Sequence, residues 1–484
     1  MPLHCKFSCY GRHIPKTPHM KKTAFIWLAA FSAFLVGIFL IWVLFQPGAM
    51  GMLRVNTAVR LACLAIVIIA VLAVPVAWLS TLLQSHGRVY LGRVAIVLAI
   101  ILALPGLLGI PTVFAVLSGL TQPNIGDTPP QLFVTASTGA HGLPDLALAF
   151  NTTKVAAYTL TWGKTAGQTE ETILTEAAAV RTHAFILTDL EPNTDYYYRL
   201  GDGSPCTFRT AGDPLRFAVG ADAHYGAATR SESASTEMLL QIADPQNAFS
   251  YFFLVGDTTH WGFSKSHWSV ALRELAGTTA TIPLGLAPGN HDTIFSGYDN
   301  YLRYAHPDSL LGDNSKLWTR IDVGRVHFFV IDLGWSAEAF TEEQAAWLES
   351  ELTAVPAEDW KIILGHGFSY ASGTYNAGRY RYDNPETIAC LVPLFERCGV
   401  NLVFSGHNHQ MEILEKSGVT YVISSPFGGI PSSPRTYQSP YSLWYESGQY
   451  GFADVTITED EAEIVFRAPG GSEVYRHFLA KSQP

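Results

Sequence analysis

The chain has 484 residues, 31 of them Lys or Arg and 41 Asp or Glu, with 48% apolar but only 15% charged side chains. That length exceeds one small domain and predicts two or three units, and 12% aromatic residues exclude a disordered chain. Charge is segregated: residues 1–126 hold nine basic and no acidic side chains, and the remainder holds 22 basic and 41 acidic ones, a net of −19. An acidic rear part predicts no nucleic-acid-binding surface, because such a surface must offset phosphate charge.

The first 22 residues read as a basic cytoplasmic tail, and 23–120 as a membrane region. Thr23–Phe45, Leu61–Leu83 and Val94–Leu120 are apolar runs, each near or above the roughly 20 residues that cross a bilayer core. Three transmembrane helices are expected, with Pro75, Pro105 and Pro111 tolerated by helix neighbours. Lys6, Arg12, Lys16, Lys21, Lys22, Arg88 and Arg93 lie on one side of these spans, and Arg54 and Arg60 on the other. The positive-inside bias then puts the N-terminus in the cytoplasm and everything after Leu120 in the periplasm or extracellular space. Cys206, Cys390 and Cys398 form no disulfide framework; Cys390 and Cys398 can pair only if the helix between them ends early. Asn151-Thr152-Thr153 is a glycosylation sequon.

After the polar linker Thr121–Pro130, residues 131–212 carry short strand-like runs between turn residues: Ala147–Phe150, Lys154–Trp162, Glu171–Thr175, Thr182–Leu187 and Tyr196–Leu200. From 213 to 484 buried strands alternate with helices. Strands are expected at Leu215–Gly220, Tyr251–Val255, Ile282–Ala287, Val326–Ile331, Lys361–Leu364, Asn401–Phe404 and Thr420–Ser424. Helices are expected near Glu232–Ala243, Lys265–Leu275, Glu342–Thr353 and Pro385–Arg397. Such alternation predicts a layered α/β sandwich.

Five of these strands end in unusual polar groups: Asp222-Ala-His224, Gly256-Asp257, Gly289-Asn-His-Asp292, Gly365-His366 and Gly406-His-Asn-His409. Side chains just beyond strand ends emerge at one edge of a sheet, where ligand crevices form. One such His is ordinarily structural; five stations, four introduced by Gly, are hard to explain as packing. Paired divalent ions repel, so an anionic group must bridge them, and Asp257 suits that role. Imidazoles and carboxylates suit Fe, Zn or Mn. The glycines before Asp257, His366 and His407 are expected to permit turns that side chains would obstruct.

The ordered set D-x-H, GD, GNHD, GH and GHxH resembles the calcineurin-like metallophosphoesterase superfamily. Leu190-Glu-Pro-Asn-Thr-Asp-Tyr-Tyr-Tyr-Arg-Leu200 resembles the corner before strand F of fibronectin III domains, where a Tyr hydroxyl (here Tyr196 or Tyr198) bonds back to the backbone. The layout is similar to that of purple acid phosphatases. The resemblance implies a multidomain chain: transmembrane α-helices, a fibronectin III-like β-sandwich at 131–212 and a four-layer α/β/β/α metallophosphoesterase sandwich at 213–484. It implies two transition-metal ions, one held by Asp222, His224, Asp257 and His409, the other by Asp257, Asn290, His366 and His407. His291 would face substrate, with Asp292 orienting it; Asn290, Arg379, Arg381 and Tyr370 would contact substrate. Purple enzymes have D-x-G and GDxxY, whose Tyr binds ferric iron. Here His224 and His260 occupy those positions, so a phenolate colour is not expected.

The implied activity is hydrolysis of phosphomonoesters by attack of a metal-bound hydroxide, in a membrane-anchored, extracytoplasmic enzyme. Phosphodiesterase action on nucleotides or phospholipid headgroups at the same site is the alternative. A catalytically inactive membrane-tethered binding or sensor protein is the reading from another class.

Overall fold

The structure, a computed structural model, describes residues 74–108, 124–164, 171–295, 297–312, 316–334, 336–376 and 379–481, with positions 31, 34, 35 and 72. It has two compact units, 1–45 with 57–115, and 46–56 with 116–484. In the first, the described chain is helical at 74–85 and at Val89–Leu108. The Ser80, Thr81 and Ser85 hydroxyls donate to carbonyls three residues back, at 2.7–2.8 Å, so these polar groups are satisfied inside the helix. Val94, Val97, Leu98, Ile100 and Ile101 are exposed. Among the described residues no helix is long and apolar enough to cross a membrane. The basic tail, the expected span Thr23–Phe45 apart from positions 31, 34 and 35, the first half of Leu61–Leu83 and the end of Val94–Leu120 lie outside the described residues.

In the second unit a nine-stranded sheet runs in the spatial order Glu473–Ala480, Glu461–Arg467, Phe452–Ile457, Leu215–Gly220, Tyr251–Val255, Leu284–Ala287, Gln131–Thr138, Pro144–Ala156 and Val180–Leu187. A seven-stranded sheet faces it, ordered Thr319–Val323, Val326–Val330, Trp360–Leu364, Leu402–Ser405, Val419–Ser424, Met411–Lys416 and Ser442–Glu446. The strands ending in the polar stations are mutually parallel within each sheet. Parallel strands are stable only with both faces covered, which explains their unbroken apolar runs. Between the sheets, Phe217 meets Phe253, Phe328 and Phe404 edge-on at 5.8, 5.1 and 6.2 Å.

The outer faces are covered by helices that begin where the sequence supplies caps. Ser231 accepts from Ala234 N ahead of Glu232–Ala243, Thr341 from Gln344 N ahead of Glu342–Ala354, and Asn384 from Glu386 N and Thr387 N ahead of Pro385–Cys398. Met238, Ile242, Trp268 and Leu275 pack on the first sheet, and Leu348, Leu352, Leu391 and Phe395 on the second. The expected four α/β/β/α layers are therefore present. Asp454 ties Phe452–Ile457 to the strands on either side, its carboxylate accepting from Arg216 at 2.7 and 2.9 Å and from Arg467 at 2.6 Å, and Glu473–Ala480 pairs onto Glu461–Arg467 at the edge.

Residues 131–212 differ from the expected separate sandwich. Only Thr159–Lys164, Thr172–Thr175, Asp195–Leu200 and Cys206–Arg209 form a sheet of their own. The facing layer consists of three strands of the nine-stranded sheet, joined to it by the parallel pair Phe133 and Leu284. Leu132, Leu146, Leu148, Phe150 and Phe185 pack from that layer against Leu160, Trp162, Tyr196, Tyr198 and Phe208. The boundary at 212/213 therefore cuts through the nine-stranded sheet rather than separating one sheet from another. Of the two tyrosines, Tyr196 makes the corner, its hydroxyl accepting from Glu191 N at 3.0 Å. The Tyr198 hydroxyl instead donates to Ala280 O at 3.0 Å, beyond the boundary. The run Lys154–Trp162 is broken after Ala156, the earlier part belonging to one 13-residue strand with a register shift between Asn151 and Ala156. Asn151 is buried and bonded to Thr128 and Thr182, which leaves no room for a glycan on the folded chain. Cys390 and Cys398 are free, on an uninterrupted helix.

Candidate metal centre

The five stations lie just beyond the ends of parallel strands, at the seam between the sheets. The nine-stranded sheet delivers Asp222, His224, Asp257 and Asn290; the seven-stranded one delivers His366, His407 and His409. Backbone bonds lock the loops: Asp222 N donates to Gly256 O at 3.0 Å, His224 N to Asp257 O at 2.9 Å, and Gly406 N to His366 O at 3.1 Å. Five of the expected ligands have left-handed backbone: Asp222 (φ 56°), His224 (50°), Asp257 (51°), His407 (69°) and His409 (47°). Such conformations are unfavourable for residues with a Cβ and concentrate where function fixes side-chain direction.

The glycines serve mainly by absence of bulk. Gly256 does sit at φ 90°, and a Cβ there would lie 2.3 Å from His366 Nδ1. Gly406 has no such φ; a Cβ on it would meet Ala221 Cβ at 2.5 Å and Asp222 Oδ2 at 2.7 Å. Close approach, rather than the expected freedom to turn, explains Gly406.

Among the described residues donor atoms converge in three groups able to hold a cation: Asp222 with His224 and His409, Asp257 with His366 and His407, and, without a carboxylate, His224 with His260 and His291. His409 Nε2 lies 3.2 Å from Asp222 Oδ1 and His224 Nε2 lies 3.2 Å from His409 Nε2. Asp257 Oδ2 stands between the groups, 3.7 Å from His224 Nε2 and 3.2 Å from His366 Nε2. In the second group His407 Nδ1 is 3.2 Å from His366 Nε2 and 3.1 Å from Asn290 Oδ1.

Ring tautomers follow from the acceptors. His366 Nδ1 faces Val255 O at 3.0 Å and His409 Nδ1 faces Ile430 O at 2.7 Å. A carbonyl can only accept, so Nδ1 carries hydrogen and the neutral ring turns an Nε2 lone pair inward. Asp222 Oδ1, fully buried, accepts no hydrogen bond, although its other oxygen accepts from His407 N at 2.8 Å and from Ser425 Oγ. Inward lone pairs around an orphaned carboxylate oxygen are a donor set for cations, and an N/O set without thiolate fits Zn, Fe or Mn. Ser425 was not foreseen; it follows an apolar strand without any motif.

Burial by itself would raise the Asp222 and Asp257 carboxyls, yet both are held well below the usual range, Asp222 chiefly by His409 and Asp257 chiefly by His366. Burial pushes His224 down to about 3. It opposes charge on His366 too, but the Asp257 carboxylate outweighs it and lifts that ring to about 10. Without a cation the two carboxylates stabilise a proton on the ring they face; a cation bound there would take that proton's place and leave the ring neutral with its Nε2 lone pair inward.

The other expected site residues divide. His291 stands at the edge of the cluster: its ring meets His224 at 4.7 Å, its Nδ1 faces His260 O at 2.7 Å, and its N–H donates to Asp257 Oδ1 at 2.8 Å. Asp292 has another role from the one expected. Fully buried, it accepts from Thr258 N, Thr259 N, Thr259 Oγ1 and Gly289 N at 2.8–3.1 Å, tying the Asp257 loop to the Asn290 loop. Burial and the Asp257 charge push it up to about 6, against the pull of those backbone donors. Tyr370 is buried against Tyr421 and Tyr441 on the outer face of the second sheet, so it is core and not a substrate contact. The side chains of Arg379 and Arg381, on a two-stranded hairpin with Thr374–Asn376, lie outside the described residues. His260 Nδ1 lies 3.4 Å from His224 Nδ1, and these two rings with His291 make up the donor group that has no carboxylate.

A family profile described as calcineurin-like phosphoesterase matches residues 215–411, which span every ligand. Purple acid phosphatase 18 of Arabidopsis thaliana is 26% identical over 299 residues, covering 57% of this chain and 65% of that protein. Acid phosphatase type 7 of Mus musculus is 26% identical over 256 residues, covering 48% and 56%. The chain thus spans less than two thirds of either relative's length. A purple acid phosphatase isolated from yellow lupin (Lupinus luteus) seeds superposes with a TM-score of 0.62 at 16% identity, over 74% of this chain and 75% of that one, a likeness of fold. The chain carries a calcineurin-like metallophosphoesterase domain, homologous to that of the purple acid phosphatases.

Proposed function

We propose that this protein is a metal-dependent hydrolase of phosphoric esters, acting on phosphomonoesters at a two-cation site. The observation that carries the reading is the convergence of imidazole lone pairs and two carboxylates in adjoining groups, with Asp257 Oδ2 between them. Cations held there would supply Lewis-acid charge for the phosphoryl oxygens and acidify water. The chain's own groups do the rest. Asp257 spaces the two cations. Asn290 contributes a neutral oxygen, which keeps the site attractive to an anion. His291, with Nδ1–H committed to the His260 carbonyl, offers Nε2 to the leaving oxygen, and the imidazolium form of the ring passes its Nε2 proton there.

Phosphodiester hydrolysis is the second reading, favoured by His260 standing where the purple enzymes have their Tyr. Membrane anchoring through residues 23–120, with the catalytic unit on the extracytoplasmic side, belongs to the same proposal and rests on the three apolar runs and the placement of Lys and Arg. A fibronectin III-like character for 131–212 rests on its strand order and the Tyr196 corner. The test is a panel of para-nitrophenyl phosphate, its bis ester and a phospholipid, with Zn, Fe and Mn added back singly and in pairs. Turnover of the monoester with metal supports the reading; faster turnover of the bis ester selects the alternative. Bound metal with no turnover of any ester indicates a binding protein.

A further inference from the structure

From the metal centre a line of rings runs outward, and its outer members, Trp261, Phe263 and Phe295, have no part in the hydrolysis itself. His224, a ligand, meets His291 at 4.7 Å; His291 meets Trp261 at 5.6 Å; Trp261 meets Phe263 at 5.8 Å; and Phe263 meets Phe295 at 5.2 Å. Phe263 is buried, whereas Trp261 and Phe295 are half-exposed. The Trp261 mounting is stiff. Its backbone N–H donates to His267 Nδ1 at 3.1 Å, Gly262 N donates to His291 O at 2.8 Å, and Gly262 O accepts from Trp268 Nε1 and Asn300 Nδ2 at 2.8 and 2.9 Å. Gly262 lies so close to the Asn290 loop that a Cβ on it would fall 1.7 Å from Asp292 O. The backbone beneath the indole is thus tied to the loop that carries His291, and the ring itself packs against His260, His291 and Phe263 at 4.8, 5.6 and 5.8 Å, with part of its surface left to solvent.

We propose that Trp261 is a stacking platform for an aromatic leaving group, so that the preferred substrates are aryl phosphoesters. This rests on the hydrolase reading above, which sets His291 at the leaving oxygen; the group bonded to that oxygen then lies next to the His291 ring, where Trp261 stands. A flat apolar surface held rigid before binding favours a flat apolar partner, because little side-chain freedom is lost on contact. A polyphosphate or glycerol leaving group gains nothing there.

The test uses the full chain loaded with metal and calorimetric titration with phenylphosphonate and methylphosphonate, which bind without turnover. Trp261→Ala is expected to weaken phenylphosphonate about two- to tenfold and methylphosphonate less than twofold, with Trp261→Phe restoring most of the difference. In parallel, kcat/KM for phenyl phosphate and phosphotyrosine is expected to fall by a similar factor in Trp261→Ala, relative to glycerol phosphate and phosphoserine. Equal losses for both phosphonates, or none for either, overturn the platform while leaving the hydrolase reading intact. Failure of both phosphonates to bind the loaded wild-type protein overturns the hydrolase reading and the platform with it.

Discussion

His291 and His260 are the residues at which this chain's chemistry is most open to measurement. His291 adjoins the donor cluster but belongs to neither cation group with the two carboxylates, so His291→Ala is expected to lower turnover about 10²–10⁴-fold with metal content unchanged by mass spectrometry. Loss of metal together with activity would instead make it a ligand. His260 lies with its Nδ1 3.4 Å from His224 Nδ1 and has no phenolate to offer. Iron-loaded protein is therefore expected to lack the visible charge-transfer band of the purple enzymes; a purple solution would place an unforeseen tyrosine on iron. The ligand types were legible in the sequence because each stands just past an apolar strand. Side-chain direction was not. Asp292 follows His291 in the chain but turns its carboxylate to Thr258, Thr259 and Gly289, and Tyr370 follows the His366 station but faces outward to Tyr421.

At the scale of elements, the central parallel strands and four covering helices were readable from apolar runs and caps. The last three strands of the nine-stranded sheet were not, because their apolar residues alternate with Glu, Asp and Arg as on any half-buried surface; pairing across the sheet defines them, reinforced at Phe452–Ile457 and Glu461–Arg467 by Asp454 with Arg216 and Arg467. Loops are joined by single groups, and these are sensitive. Asp292→Ala would strand four buried donors and is expected to cost about 3–5 kcal/mol in chemical denaturation; a loss below 1 kcal/mol would show that water replaces the carboxylate.

His306 begins the short helix Pro307–Leu310, its Nδ1 accepting from Ser309 N at 3.2 Å while its buried Nε2 has no partner. Burial lowers its pKa from 6.5 to about 4. Above pH 6.5 the ring is neutral in both folded and unfolded chains and costs nothing. As pH falls from 6.5 towards 4 the unfolded chain takes up a proton that the folded one refuses, and stability declines. His306→Asn keeps a capping side chain and removes that titration, so its stability is expected to fall less steeply between pH 6.5 and 4. An unchanged slope would mean that the ring is protonated in the folded protein.

For the whole molecule, the sheet that delivers four ligands continues through the β-sandwich without a break. The pattern of strands and helices changes near residue 212, but hydrogen bonds cross that point: Gln131–Thr138 covers the edge of Leu284–Ala287, Thr279 Oγ1 donates to Gln131 Oε1 at 2.8 Å, and Tyr198 reaches Ala280. Periodicity identifies strands, not the partners across a sheet, which is why this continuity was not readable from sequence. A chain starting at residue 213 would bare that edge and is expected to aggregate or to melt well below one starting at residue 124. Equal melting temperatures would show that the two parts fold independently.

The most direct test is metal content, by mass spectrometry, of the wild-type protein and of Asp257→Asn after equilibration with Zn, Fe or Mn and removal of free ion. Asp257 Oδ2 stands between both donor groups. The wild type is expected to retain two ions per chain, and the variant to lose both along with activity. A wild type that retains none, or a variant that keeps two, would contradict a shared centre bridged by Asp257.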